Sequence, residues 1–338
     1  MTRTVTNSPM VSSKKLSVLA LILFSVLFSL ATSDVCMASE KNQQTSNLMN
    51  LRLIKNMDDL GIYSFNHLVA INRKLYISCP DNNTIVALNE KGEILAKAGK
   101  QGEGPGEFGF MSGIVPYRDG VAVYDSDLSK IVFYTDMLEY RGEKKTERYF
   151  AVEGMVGNKY IFSNFKADIN LYFTVCDSAF KEIKRFEPWH HKNKFPKGVL
   201  VYDFPRALLT IDANRFLAVF NLGYDVYLFD RYVSKKVVQE KDGYFKYTID
   251  EVYGRKKISM QDVSLALVSC NKKIFYFYRK DKKLFIDTFD KDFNFLGRQQ
   301  IILPMETKTI LAHMRDNLIY MLRRDEDSDS LLLYSFNL

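Results

Sequence analysis

One short pattern recurs six times in this chain and limits what it can fold into. An apolar, strand-like run ends in Asp or Asn and gives way to a turn. The copies are TIVALN ending at Asn89, KIVFYTD at Asp136, LYFTVCD at Asp177, VYLFD at Asp230, LFIDTFD at Asp290 and LLLYSFN at Asn337. Their spacings are 47, 41, 53, 60 and 47 residues. A repeat of this period marks units that cannot bury their apolar faces alone and must stack on neighbours. Each copy has a second strand just upstream: KLYIS from Lys74, GVAVYD from Gly120, KYIFSN from Lys159, RFLAVFN from Arg215, KIFYFYR from Lys273 and NLIYML from Asn317. Short polar links such as Pro80–Asn83 and Leu222–Asp225 join the pairs, which read as hairpins. The six Asx residues are expected to be turn caps and not catalytic acids, because their side chains bond nearby backbone groups.

A third strand follows most hairpins, at Glu93–Gly99, Tyr140–Lys144, Glu182–Phe186, Lys235–Glu240 and Phe295–Ile302. The sixth hairpin has none, because the sequence stops at Leu338. Leu51–Lys55, LRLIK, is strand-like and otherwise unassigned. It is expected to complete the last unit and close a ring, which removes the sheet edges that invite aggregation. The expected fold is therefore all-β: a single six-bladed β-propeller over residues 39–338. Composition agrees, with 25 Phe and 20 Tyr beside one Trp, since aromatics favour pleated, half-buried surfaces. Segment 241–259, which accounts for the 60-residue interval, is expected to be a short helix or a long loop.

Residues 74–136 resemble an NHL-type repeat, the blade of one propeller family. The most specific part is Gly102-Glu103-Gly104-Pro105-Gly106-Glu107-Phe108, which is similar to the link of secreted, TolB-like six-bladed propellers of Bacteroidetes. The motif covers about two of the six blades. The resemblance implies a periplasmic or cell-surface location and no particular activity. The link is not expected to cradle phosphate. It lies between β elements, contains Pro105 and lacks the Gly-Lys-Ser/Thr that enters a helix.

Residues 1–38 read as a signal peptide. Lys14 and Lys15 precede the apolar run Leu16–Ala31, which is short for a membrane span of roughly 20 residues. Cleavage is expected after Ala38, with Ser33 as the alternative. A second reading attaches lipid to Cys36, although Asp34 suits that pattern badly. No membrane span remains once the signal is removed. The net charge of +7 falls to +5 with Arg3, Lys14, Lys15 and Asp34 gone, too small to imply a nucleic-acid partner. Cys79, Cys176 and Cys270 are widely spaced, odd in number and set in apolar runs, so they are expected to pack as free thiols.

Hydrolase and zinc motifs such as G-x-S-x-G and H-E-x-x-H are absent. The acidic run Asp325–Asp329 lacks the Gly and Glu that a calcium loop needs and is expected to be a hairpin tip. Five residues are candidates for ligand binding. His67, in FNHLVAI, and His313, in TILAHMRD, fall on the innermost strands of the first and sixth blades, neighbours in a closed ring. Paired imidazoles there leave a calcium or transition metal open, though a catalytic zinc takes three protein ligands. Otherwise no cofactor is expected. Trp189, His190 and His191 lie in the basic segment 181–197, where a Trp on a ring-face loop suits stacking or partner anchoring. The expected function is an exported binding module for a protein, peptide or glycan. The alternative is a metal-assisted propeller hydrolase or lyase at the channel.

Overall fold

A computed structural model of the chain describes residues 52–165, 171–187, 199–200, 205–220, 223–238, 247–252, 255–260, 263–281, 283–301, 309–313, 318–324 and 330–338. Six antiparallel four-stranded sheets form the blades of a propeller. The second and third strands of each blade are the hairpins of the sequence repeat. In blade one, for example, Lys74–Cys79 pairs with Thr84–Leu88. The innermost strands are His67–Ile71, Met111–Tyr117, Ala151–Val156, Pro205–Thr210, Val263–Cys270 and Thr309–His313. Each lies against the next, and the sixth returns to the first, so the ring is closed.

Closure uses the N-terminal strand. Arg52–Asn56 pairs antiparallel with Leu331–Asn337 as the outer strand of blade six. Directly after it, the Met57 amide donates to the Leu331 carbonyl at 2.7 Å, and the Met57 side chain is buried between blades six and one.

The core is distributed between the blades. Six apolar clusters fill the six interfaces among the described residues. The period-2 geometry of a strand explains the division. In Lys74–Cys79, Leu75 and Ile77 face blade six while Tyr76 faces blade two. Both faces of the middle strands are therefore buried, and Gly120–Asp125 is buried at every residue. The outer strands are more polar. Tyr140–Lys145, YRGEKK, is mostly exposed, and such charge blunts an open edge. Packing between blades is close where Gly113 meets Val152: a Cβ on Gly113 would lie 2.6 Å from the Val152 carbonyl oxygen.

Three of the six Asx residues cap turns as expected. Asn89, Asp177 and Asp290 each accept two backbone N–H bonds from residues two and four positions on. Blade two differs. There the Thr135 hydroxyl takes both amides, and Asp136 accepts a hydrogen bond from Lys74 of blade one. Segment 241–259 is also a correction. Among its described residues, Tyr247–Val252 and Arg255–Met260 form a hairpin, not a helix or a plain loop. Val199–Leu200 adds to it in parallel, making a three-stranded sheet outside the blades. Its strands come from two consecutive links, blade three to four and blade four to five.

The Gly-rich link is a fastening between blades one and two. Phe108 is buried against both blades. The glycine amides are all engaged: Gly102 donates to the Phe108 carbonyl, Gly104 to Glu107 Oε2, and Gly106 to Glu143 Oε2. The Lys130 ammonium, fully buried, donates to the Gly104 carbonyl at 3.0 Å and to Glu143 Oε2 at 2.9 Å. Beyond the link, Asp125 accepts four backbone amides, from Gly109, Phe110, Asp127 and Leu128. The three glycine amides that a phosphate loop would present are thus spent on the protein itself.

Candidate functional site

All six innermost strands begin on the face that carries the blade-to-blade links. In four consecutive blades the ladder to the second strand slips by one residue near that end. Met111 pairs with Asp125 and Gly113 with Tyr124, leaving Ser112 extra. Val152 and Gly154 pair with Phe162 and Ile161, leaving Glu153. Pro205 and Ala207 pair with Phe220 and Val219, leaving Arg206. Ser264 and Ala266 pair with Tyr278 and Phe277, leaving Leu265. A bulge re-aims a side chain without breaking the strand and is common beside functional sites. Here blades two, four and five are bulged at one register position, and the bulge of blade three lies two residues nearer the hairpin turn. Because these strands are ring neighbours, the four bulges lie on consecutive innermost strands near the link-bearing end of the channel, with Ser112 buried, Glu153 and Leu265 half-buried and Arg206 exposed.

Glu153 is the unusual member. Its side chain is half-buried, and Ser163 Oγ, itself fully buried, donates to Oε1. Desolvation pushes its carboxyl up to about 7, against the lowering influence of Ser163 and the Arg206 charge. The carboxyl therefore exchanges its proton near neutral pH. Aromatic rings stand close by in sequence: Phe110 and Phe150 directly precede the innermost strands of blades two and three and are 45% and 46% exposed. A mouth with a proton-bearing carboxyl, a guanidinium and exposed rings can hydrogen-bond, pair with charge and stack.

Such a carboxyl destabilises the fold once ionised. A folded-state value raised above the ordinary 4.5 gives stability that is complete below pH 4.5 and lost as pH rises through 7. Glu153→Gln removes this titration. The variant is expected to match the parent near pH 4.5 and to exceed it at pH 8 by about 1–3 kcal/mol in denaturant melts. A difference that does not change with pH would show that the carboxyl is not desolvated.

The five candidates from the sequence fare differently. His67 opens the innermost strand of blade one on the same face as the bulges. Its Nδ1 lies 2.9 Å from Ser78 Oγ, and its amide donates to the same oxygen at 3.0 Å. His313 closes the innermost strand of blade six. Blades of one strand order run their innermost strands in the same sense, so the two histidines stand at opposite ends of neighbouring strands. Four strand steps separate those backbone positions by roughly 13 Å along the strands. Trp189, His190 and His191 lie outside the described residues, as do Cys36, the signal segment and Asp325–Asp329. Cys79 and Cys176 are buried free thiols that burial pushes up to about 12 and about 11, as inert packing residues require. Among the described residues no three His, Cys, Asp or Glu side chains converge as metal ligands, and no helix is long and apolar enough to cross a membrane.

The sequence reading missed Ser112, Glu153 and Arg206. A signal for two of them was present. Ser112-Gly113 and Glu153-Gly154 each set a glycine inside an apolar strand, which suggests a bulge. Arg206 follows only Pro205 at a strand start.

Comparison with solved structures finds the same fold at low identity. A Bacteroides fragilis protein whose name records an inferred export superposes with a TM-score of 0.54 at 13% identity, covering 86% of this chain and 95% of the other. A luciferin-regenerating enzyme matches with a TM-score of 0.50 at 10% identity over 86% and 95%. A DUF4221 member from Bacteroides vulgatus gives 0.49 at 10% over 82% and 94%. No curated protein sequence matches the chain. At these identities the likeness is one of fold. The family profile is more specific: DUF5128, described as a 6-bladed beta-propeller, matches residues 32–315. The observed six blades and this match over most of the chain agree, and the protein belongs to the DUF5128 family of six-bladed β-propellers.

Proposed function

We propose that this protein is an exported binding propeller that holds its ligand at the link-bearing mouth of the channel. The observation that carries this reading is the run of bulges near the link-bearing ends of consecutive innermost strands, which includes the half-buried Glu153 and the exposed Arg206 on neighbouring blades. A half-buried carboxyl with a raised proton affinity costs stability, and such costs concentrate where a protein binds or reacts. The extra three-stranded sheet, built from the links on either side of blade four, adds surface on the same face. Export rests on Lys14, Lys15 and the apolar run that follows. The Gly102–Phe108 link supports the finer resemblance to secreted NHL-type, TolB-like propellers. The ligand is a protein, peptide or glycan. The metal-assisted alternative rests on His67 and His313, which open and close neighbouring innermost strands.

Glycan and peptide arrays probed with the protein and with an Arg206→Ala/Phe150→Ala variant test this. A ligand captured by the parent, lost in the variant and kept by Arg118→Ala on the opposite face is the expected result. Capture that ignores the mouth substitutions would move the site elsewhere. Turnover of the captured ligand would favour an enzyme.

A further inference from the structure

We infer that Met137 is an oxidation site, at which Lys74 of the neighbouring blade decides which face of the sulfur is attacked and then holds the oxygen that is added. The inference is independent of the ligand reading, because Met137 lies in a turn on the ring face opposite the links. Four turns between third and fourth strands share one scaffold. Asn89, Thr135, Asp177 and Asp290 each accept the amides two and four positions on. The residues two positions after these caps are Lys91, Met137, Ala179 and Asp292. Blade two thus sets a thioether where the others carry a charge or a methyl group. Met137 is 41% exposed, whereas Met57, Met111 and Met321 are buried between blades.

Lys74 reaches this turn from blade one. Its Nζ donates to Met137 Sδ at 3.3 Å and pairs with the Asp136 carboxylate. Tyr76, on the same strand, donates its hydroxyl to the Asp136 carbonyl at 3.0 Å. The tyrosine latch recurs one seam back, where Tyr320 donates to the Glu90 carbonyl at 2.9 Å. There Leu318 and Lys91 stand where blades one and two have Lys74 and Met137. The ammonium–sulfur contact is therefore an addition to the latch.

The reaction is oxygen transfer from hydrogen peroxide. A sulfur lone pair forms the S–O bond as the O–O bond breaks. The hydroxide released takes the proton of the transferred oxygen and leaves as water. Sulfur loses two electrons and the peroxide gains them. Lys74 engages one of the two sulfur lone pairs, so peroxide reaches the other and one sulfoxide epimer forms in excess. The side chain is unbranched and turns easily about its last bonds. The new oxygen, a better acceptor than the thioether, turns to the same ammonium, and the seam keeps its fastening. In a blade interface the same oxygen would be a buried acceptor and would disrupt packing.

The full protein is treated with hydrogen peroxide and each methionine is followed by peptide mass spectrometry. Met137 is expected to convert about tenfold faster than Met57, Met111 and Met321, whose exposure requires the ring to open. The two methionine sulfoxide reductases each act on one epimer. Applied separately to the digested peptide, one of them is expected to reduce most of the Met137 sulfoxide. In Lys74→Leu the two are expected to share it about equally. The oxidised parent is expected to melt with its reduced form, and oxidised Lys74→Leu below its own reduced form. Met137→Leu, treated alike, accounts for the other methionines. Should Lys74→Leu not fold, Asp136→Asn loosens the hold on Lys74 and is expected to diminish the epimer excess. Equal epimers in the parent, or an excess that neither variant changes, would overturn the role of Lys74. A Met137 that oxidises no faster than the three buried methionines would overturn the site.

Discussion

Replacing Lys130 with methionine is expected to destabilise the protein by about 3 kcal/mol and to open the 102–108 link to protease. Breaking a buried ion pair by removing one partner typically costs about 3–5 kcal/mol, because the other charge is left without compensation. Here Glu143 keeps some contact with water, with 26% of its side chain exposed, so the lower end applies. The loss has two parts. The Gly104 carbonyl loses a charge-assisted donor, and Glu143 loses its cation while still accepting from Gly106. The link is then held by Phe108, by the Tyr134 hydroxyl on the Gly106 carbonyl, by the Gly106–Glu143 bond, by the internal Gly102 and Glu107 bonds and by the Lys100–Glu107 pair, in which Lys100 is mostly exposed. Surface pairs of that kind contribute little. The double variant Lys130→Met/Glu143→Leu is expected to recover much of the stability, since replacing both partners removes the orphaned charge. Urea melts read the energies, and protease sites mapped by mass spectrometry read the link. A Lys130→Met protein as stable as the parent would mean that the link is fastened by other contacts.

The link shows why some features were legible from sequence and others were not. Gly102–Phe108 was readable as a structural hand-over because its neighbours were strands and Pro105 forbade a helix. What fastens it was not readable. Lys130 and Glu143 lie 26 and 39 residues beyond Gly104 and meet it only when blade two is folded. The same distinction applies to the rest of the chain. Strands and their turns depend on local alternation and Asx chemistry, so outer strands such as Glu182–Phe186 fell where expected. The hairpin in 241–259 was missed because the sheet it joins takes its third strand from residues 199–200, nearly fifty positions upstream. The site was missed for a different reason. A single extra residue reverses which face a side chain takes, so periodicity points Glu153 and Arg206 the wrong way until register is known. Conversely, His67 and His313 were correctly placed on innermost strands. The sequence motif around each does not say which end of its strand faces which ring surface, and that decides whether they meet.

Removing the N-terminal strand is expected to have the largest effect of all. Deleting Arg52–Asn56 leaves Leu331–Asn337 as a bare edge and opens the seam between blades six and one. The strand's own side chains add little, since its burial runs from exposed at Arg52 and Leu53 to half-buried at Ile54, Lys55 and Asn56. Its contribution lies in the ladder and in what it positions. Four residue pairs of the ladder are lost, each hydrogen bond being worth about 1 kcal/mol net. Met57 loses the strand that fixes it, together with the amide bond to Leu331. Met57 is fully buried in the cluster that also holds Leu75, Ile77, Leu322 and Leu333. Unseating a side chain of this kind costs about 2–5 kcal/mol. The sum approaches the whole stability of an ordinary domain, about 5–15 kcal/mol. The deletion is therefore expected to abolish cooperative melting, and not merely to shift it. Leu53→Ala, at an exposed position in the same strand, is expected to change stability by no more than about 0.5 kcal/mol. Adding a peptide of residues 48–60 in trans is expected to restore a cooperative transition by strand addition to the open edge. Calorimetry of the three proteins separates the cases. A deletion variant that melts like the parent would mean that the ring holds without its closing strand, and that the six interfaces between blades suffice on their own.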